Sequence, residues 1–386
     1  MQYDLTDEQR MMRDMVRRLA QERIAPGAAE RDRAGKFPWD VVEAFRDNGV
    51  MGCDFKEAHG GAEMGVLAFC LAVEEVAKVC ASSSVILLVH ELGAMPMMLA
   101  GSPEQKDRWL PGLAGGEHLV AFGLTEPGAG SDAAGIRTTA VKKGDKYIIN
   151  GSKQFITHAD VAQYVCVACR TDPEKPPHKG GLSVIVVEKG APGFAIGKKE
   201  DKMGIRASST CELVFEDCEA PAENLLGSEG DGFAILMKTL DFTRPCVAAQ
   251  AVGIAQGALD FAVGYAKERE QFGRPIFANQ GLQWMLADMD AQVEAARQLV
   301  YRTAAVFQGV PKDLSRVPRE AMRLSAMSKM VAGDMAMKVT TDAVQVLGGY
   351  GFTTDYPVER MMRDAKITQI YEGTSQVQKM VIAACL

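Results

Sequence analysis

The chain has 386 residues, 47% of them hydrophobic and 24% charged, with a net charge of −7. That is enough core material for one large domain or two to three ordinary ones. The acidic balance argues against a nucleic-acid or anionic-membrane surface, and no apolar run is read as reaching the ~20 residues of a membrane span. The opening residues Met1-Gln2-Tyr3-Asp4-Leu5 lack the profile of a signal or transit peptide. Nine scattered cysteines fit reduced thiols, so the expected compartment is the cytoplasm, or an organelle matrix if a transit peptide has been removed.

Residues 1–120 read as successive helices. Thr6 with Gln9 makes a capping box and Pro26 closes the first helix. A second runs from Pro38 to Asn48 and stops at Gly49. Met64–Cys80 and Ser83–Met95 are strongly apolar, and Ser102-Pro103-Glu104-Gln105 combines a cap, an N1 proline and a capping-box glutamine. From Leu119 to Leu226 the pattern alternates with period two, which predicts a middle β domain over 121–230. Its strands are Thr138–Lys143, Tyr147–Asn150, Tyr164–Cys169, Leu182–Glu188 and Cys211–Phe215, with Gly144-Asp145 and Asn150-Gly151 as turn signals. Helical spacing returns over 231–386 in Arg244–Phe272, Leu282–Phe307, Arg319–Leu347, Val358–Tyr371 and Thr374–Ala384, predicting an antiparallel bundle.

The segment that concentrates chemistry is Gln369-Ile370-Tyr371-Glu372-Gly373-Thr374-Ser375-Gln376. Its single carboxylate stands between an apolar pair and a glycine, at a junction of two helices. Poor hydration there raises a carboxyl pKa toward the range of a general base; the same residues also suit an exposed glutamate in a linker. Thr125-Glu126-Pro127-Gly128-Ala129-Gly130-Ser131-Asp132 has glycine-rich spacing but lacks the βαβ context of a dinucleotide fingerprint. Its N–H groups and hydroxyls suit phosphates or ring carbonyls, and a tight turn explains it equally well. Phe155 and Thr157 share strand parity, placing an aromatic plane beside a hydroxyl, which suits a flat heteroaromatic partner or ordinary sheet packing. Asp241-Phe242-Thr243-Arg244 is read as opening the first long helix, where Asp is an ordinary cap and Arg244 calls for an anionic neighbour. Cys166 and Cys169 form a C-x-x-C on a strand, read as core, and the five histidines show no metal-ligand spacing.

Arg269–Gly273 ends a helix, and the glycines of Gln345–Gly351 permit close backbone approach or a helix stop. These two with Thr125–Asp132, Phe155-Ile156-Thr157 and Tyr371–Gln376 resemble the acyl-CoA dehydrogenase family in order and spacing over essentially the whole chain, nearest its short- and medium-chain members. The resemblance implies an N-terminal helical domain, a β-barrel or sandwich domain and a C-terminal four-helix bundle. It further implies FAD, a homotetramer built as a dimer of dimers, and electron-transferring flavoprotein as the electron acceptor. It places Phe122, Leu124, Thr125, Ser131, Phe155 and Thr157 around the flavin ring. Arg269, Phe272, Gln280, Gln345, Gly348 and Gly349 fall on the pyrophosphate and adenine half, and Thr374 and Gln376 also touch FAD. Ser131, Asp241, Arg244, Tyr371 and Gly373 are implied substrate contacts, and Glu372 the catalytic base. Some members carry the base on the preceding long helix, at the position of Thr243, which cannot take that role. His158-Ala159-Asp160 and Phe155 depart from the common pattern.

The implied reaction is α,β-dehydrogenation of an acyl-CoA to the 2-enoyl-CoA. Reduction of an enoyl-CoA with a low-potential partner, or acyl-CoA binding without catalysis, are the alternatives. Cys80–Gly101 contains no Lys or Arg, so the acyl pocket is expected to favour an uncharged short- to medium-chain, branched or cyclic acyl group. Val85, Ile86, Leu87, Leu88, Val89 and Leu92 form its wall, with His90 and Glu91 narrowing it.

Overall fold

The computed structural model describes residues 4–386. Six helices come first: α1 (Asp7–Leu19), α2 (Ala28–Ala34), α3 (Trp39–Asp47), α4 (Gly65–Ala77), α5 (Ala81–Ala100) and α6 (Pro103–Ala114). Both expected capping boxes form. Gln9 N–H donates to Thr6 Oγ1 at 3.2 Å and Gln105 N–H to Ser102 Oγ at 3.2 Å, with each glutamine carbonyl taking the cap N–H in return. Each box satisfies two N–H groups that a helix start otherwise leaves without partners.

The middle of the chain supplies β1 (Val120–Gly123), β2 (Thr139–Lys143), β3 (Lys146–Thr157), β4 (Tyr164–Arg170), β5 (Leu182–Glu188), β6 (Phe194–Lys199), β7 (Thr210–Pro221) and β8 (Leu225–Leu226). They form one eight-stranded sheet in the order β6-β7-β3-β2-β4-β5-β8, with β1 parallel to β4. The β2–β3 hairpin turns at Gly144-Asp145, with Lys143 opposite Lys146. Asn150-Gly151 is not a hairpin turn. β3 runs straight through it, and the register against β7 slips there instead. Gly151 takes φ 143°, and a Cβ on it would lie 2.7 Å from Thr138 Oγ1, so the dipeptide serves as a bulge against a crowded neighbour. Cys166 and Cys169 are buried on β4, and three positions apart on a strand they face opposite sides of the sheet.

The bundle follows: α7 (Gly232–Glu268), a small hairpin of β9 (Glu270–Gln271) and β10 (Arg274–Pro275), α8 (Gln280–Phe307), α9 (Arg319–Leu347), α10 (Pro357–Ala365) and α11 (Ser375–Ala384). The first long helix starts at Gly232 and not at Asp241, and ends at Glu268 rather than Phe272. Its 37 residues include Pro245 well inside. Proline has no N–H for the carbonyl of Asp241 four residues back. Ser325 Oγ of α9 donates to that oxygen at 2.7 Å, so the helix passes through. The stretch expected as one helix to Tyr371 closes at Ala365, with a 3₁₀ turn over Lys366–Gln369.

α5 and α7 are long and apolar enough to cross a membrane by length and composition, although no such run was read in the sequence. Mean hydropathy stays high across the isolated Ser82–Ser84, His90 and Glu91. The apolar windows are 89% and 78% buried inside the fold, where α5 packs against α4, α7 and β1.

Candidate active site

A cleft of about 260 Å³ opens where α5, the sheet, α7 and α11 converge. Val85, Leu88, Val89 and Leu92 of α5 form its apolar wall, one face at three-four spacing. Ile86 and Leu87 belong to the core instead. His90 and Glu91 do not narrow the cleft, because they lie on another face of α5. His90 Nε2 pairs with the Leu113 carbonyl at 3.0 Å. Burial pushes its pKa down to about 4, so the ring is neutral.

The opposite side of the cleft is made by Phe122, Leu124, Thr125, Ser131, Phe155 and Thr157. Phe155 keeps 61% of its surface exposed, a flat apolar plane beside the Thr157 hydroxyl. A bulge between Lys153 and Ile156, with Phe155 at φ 59°, turns this ring into the cleft. Strand parity alone would not have placed it. The glycine-rich loop is fixed from beneath: Glu126 accepts from Arg137 N–H at 2.6 Å, Thr138 N–H at 2.9 Å and the buried Lys153 Nζ at 2.7 Å.

Glu372 closes the cleft between α10 and α11. Its φ of 52° is left-handed, a conformation costing a non-glycine residue ~1–3 kcal/mol that the surroundings must offset. Four hydrogen bonds to two consecutive carbonyls do so. Arg244 Nε (3.2 Å) and Gln378 Nε2 (3.1 Å) donate to the Glu372 carbonyl. Lys329 Nζ (2.6 Å) and Gln378 Nε2 (2.8 Å) donate to the carbonyl of Gly373. The side chain receives Thr243 Oγ1 on Oε2 at 2.8 Å. Burial pushes the Glu372 pKa up to about 7, against the Thr243 hydrogen bond and the charges of Arg244 and Lys329, which pull it down. Tyr371 donates its hydroxyl to Gln250 Oε1, and Gln250 Nε2 donates to Ser84 Oγ at 2.9 Å. The residue before Glu372 is thereby tied to both α7 and the first turn of α5.

Asp241 does not line the cleft and caps no helix; it pairs with Arg244 at 3.1 Å, and burial raises its pKa to about 6 against the pull of Arg244 and Lys238. Arg269, Gly348 and Gly349 meet elsewhere, in a groove of about 470 Å³ shared with Tyr265 and Tyr350. The Arg269 guanidinium lies 5.2 Å from the Tyr350 ring centre. Phe272, 96% exposed on the β9–β10 turn, and the exposed Gln280, Gln345 and Gln376 line neither cavity. Thr374 accepts the Val377 N–H at 3.2 Å as the cap of α11. Lys329, Gln378 and Gln250 were missed in the sequence. A lysine inside the apolar stripe of α9 was the available signal for the first.

A desolvated carboxylate facing an apolar cleft with one flat aromatic wall, at the meeting of a helical domain, a sheet and a bundle, is the arrangement of an enzyme that takes a proton beside a flat ring. The family below makes it a flavoprotein oxidoreductase. The chain belongs to the acyl-CoA dehydrogenase family, whose N-terminal, middle and C-terminal domain models match residues 6–117, 121–218 and 230–386. Members are FAD flavoproteins. The chain is 51% identical to the short-chain-specific acyl-CoA dehydrogenase of Clostridium acetobutylicum, covering 99% of both chains. It superposes on butyryl-CoA dehydrogenase from Megasphaera elsdenii with a TM-score of 0.94 at 46% identity, covering 100% of this chain and 99% of that one. A chain in the structure describing the electron transferring flavoprotein of Acidaminococcus fermentans and flavin-based electron bifurcation gives a TM-score of 0.95 at 50% identity, with 99% and 98% covered.

The residues present fit FAD. Phe155 and Thr157 offer a plane and a hydroxyl to a flat ring. The second groove offers Arg269, which forms no ion pair among the described residues, for a pyrophosphate. Gly348 and Gly349 open the backbone beside it, with no heavy atom within 4 Å of where a Cβ would stand.

Proposed function

We propose that the chain removes the α and β hydrogens of an uncharged short- to medium-chain, branched or cyclic acyl-CoA, giving the 2-enoyl-CoA, and that Glu372 is the base. The observation that carries this is the carboxylate of Glu372, placed in the cleft with a pKa near neutrality by burial. It can therefore be ionised before the reaction and protonated after it. FAD, when bound, supplies the hydride acceptor.

The chain's own residues account for the rest. The peptide N–H of Glu372 donates to no protein group among the described residues, which leaves it free for the thioester carbonyl. A donor there stabilises the enolate as the α-proton leaves. The α5 wall and Tyr371 exclude water from the reacting carbons, and the clamped carbonyls hold Glu372 in its left-handed pose. Phe155, Thr157, Thr125 and Ser131 receive the ring of the cofactor, and Arg269, Gly348 and Gly349 offer a pyrophosphate site in the second groove. Phe272, Gln280 and Gln345, exposed in one chain, are assigned to a neighbouring chain's cofactor in a homotetramer. Electron-transferring flavoprotein is the proposed acceptor, supported by the similarity to the Acidaminococcus structure.

Glu372→Gln tests the assignment. The amide keeps size and hydrogen bonding but accepts no proton, so acyl-CoA binds while anaerobic bleaching of the flavin slows by at least ~10²–10⁴-fold, the contribution of a general base. Near-normal bleaching would place the base elsewhere.

A further inference from the structure

Of the residues that α9 buries, one is charged: Lys329, 1% exposed. Placing an ammonium group away from water costs several kcal/mol. Its visible contact is the hydrogen bond to the Gly373 carbonyl, which Gln378 Nε2 already serves at 2.8 Å. A second neutral donor would satisfy that oxygen equally well. What the lysine adds is its charge, one peptide away from Glu372.

Among the charged groups around it, Glu372 acts on Lys329 most strongly. Arg244 faces it from α7, itself paired with Asp241. Asp334, on α9 itself, also faces it and helps hold it charged, while its Oδ1 accepts from Gln369 Nε2 at 2.7 Å and Ser375 Oγ at 3.0 Å. The residues of α11 against it, Ser375 and Gln378, do not titrate. No carboxylate stands within 4 Å of the Lys329 ammonium among the described residues, so it acts on Glu372 through space rather than by contact.

We propose that Lys329 is a positioning residue of the dehydrogenation, its charge keeping Glu372 ionised and ready to take the substrate proton. This rests on the reading of Glu372 as the base. Burial pulls Lys329 down to about 8, partly opposed by Glu372, so the cation persists at the pH where Glu372, at about 7, changes state. Once Glu372 has taken the proton, Lys329 and Arg244 face a neutral group, which favours the proton's release and resets the site.

The test separates charge from tether. Lys329→Gln keeps an N–H donor for Gly373; Lys329→Met keeps neither donor nor charge. The Glu372 carboxyl is titrated in the FAD-loaded protein by infrared difference spectroscopy with ¹³C-glutamate, and Glu372→Gln assigns its band. Both lysine variants are expected to move the titration up by about one pH unit, the low end of the ~1–3 units from a nearby opposite charge. The acid limb of flavin bleaching by butyryl-CoA should move with it. A Gln variant that titrates as the wild type does overturns the proposal and leaves Lys329 a tether, even if the Met variant is too unstable to measure. Failure of the base assignment shows separately, as a Glu372→Gln variant that still bleaches.

Discussion

Thr243 offers the most direct probe of how the base is tuned. Thr243→Val keeps the shape and removes the hydroxyl that donates to Glu372 Oε2 at 2.8 Å. A hydrogen bond to a charged group contributes ~1.5–3 kcal/mol. The single hydroxyl proton is also directed at the Thr239 carbonyl, 3.1 Å away, so the lower figure applies. At ~1.4 kcal/mol per pH unit, the base should rise by about one unit, from about 7 to ~8. The ionised fraction at pH 7 then falls from about a half to about a tenth, a ~5-fold loss in bleaching rate. By pH 9 the loss should nearly vanish, because both proteins are then ionised. Stopped-flow bleaching of the flavin by butyryl-CoA between pH 6 and 9 reads this directly. An equal loss at every pH would refute the reasoning, since a packing defect does not know the proton concentration.

Ser325→Ala leaves the Asp241 carbonyl without a donor, because Pro245 cannot provide one; a cost of ~1–3 kcal/mol should appear as a lower thermal midpoint, and an unchanged midpoint would mean the helix adjusts by itself. Arg269→Ala should lose flavin on dialysis, measured as the ratio of flavin to protein absorbance; full retention would remove this residue from the cofactor's pyrophosphate side. Given butyryl-, hexanoyl-, cyclohexanecarboxyl- and glutaryl-CoA at equal concentration, the enzyme should bleach slowest with the glutaryl thioester. The α5 wall carries no cation, and an unpaired buried carboxylate costs several kcal/mol. Preference for glutaryl-CoA would sink the pocket reading.

The helix–sheet–helix order was legible because its signals are local. The capping boxes at Thr6 and Ser102 and the short apolar runs of β4 and β5 depend on neighbours a few residues away. The misreadings came where a distant residue decides. Asn150-Gly151 looks like a turn until β7 and Thr138 are in place. Asp241-Phe242-Thr243-Arg244 looks like a helix start until Ser325, 84 positions after Asp241, arrives at the Asp241 carbonyl. The segment of Glu372 suited a linker glutamate as well as a base, and only the resemblance across the chain chose between them; the groups that hold it, Thr243, Lys329 and Gln378, come from three helices. Only α11 is adjacent in the chain. A polar residue in an apolar helical stripe, as Lys329 is, marks such a partner without saying what it serves.

The burial of α5 against α7 has a consequence for how the protein is made. α5 leaves the ribosome roughly 130 residues before the start of the helix that covers it, on the order of 10 s at ~5–20 residues/s. For that interval a 20-residue helix, apolar enough to cross a membrane by composition, has no α7 to pack on. Targeting factors and chaperones that read nascent chains by apolar length alone would see a membrane anchor. Safe synthesis therefore depends on α4, α6 and the early sheet strands sheltering α5 first. A slowed or truncated translation product ending before Gly232 is the species most exposed to mistargeting and aggregation.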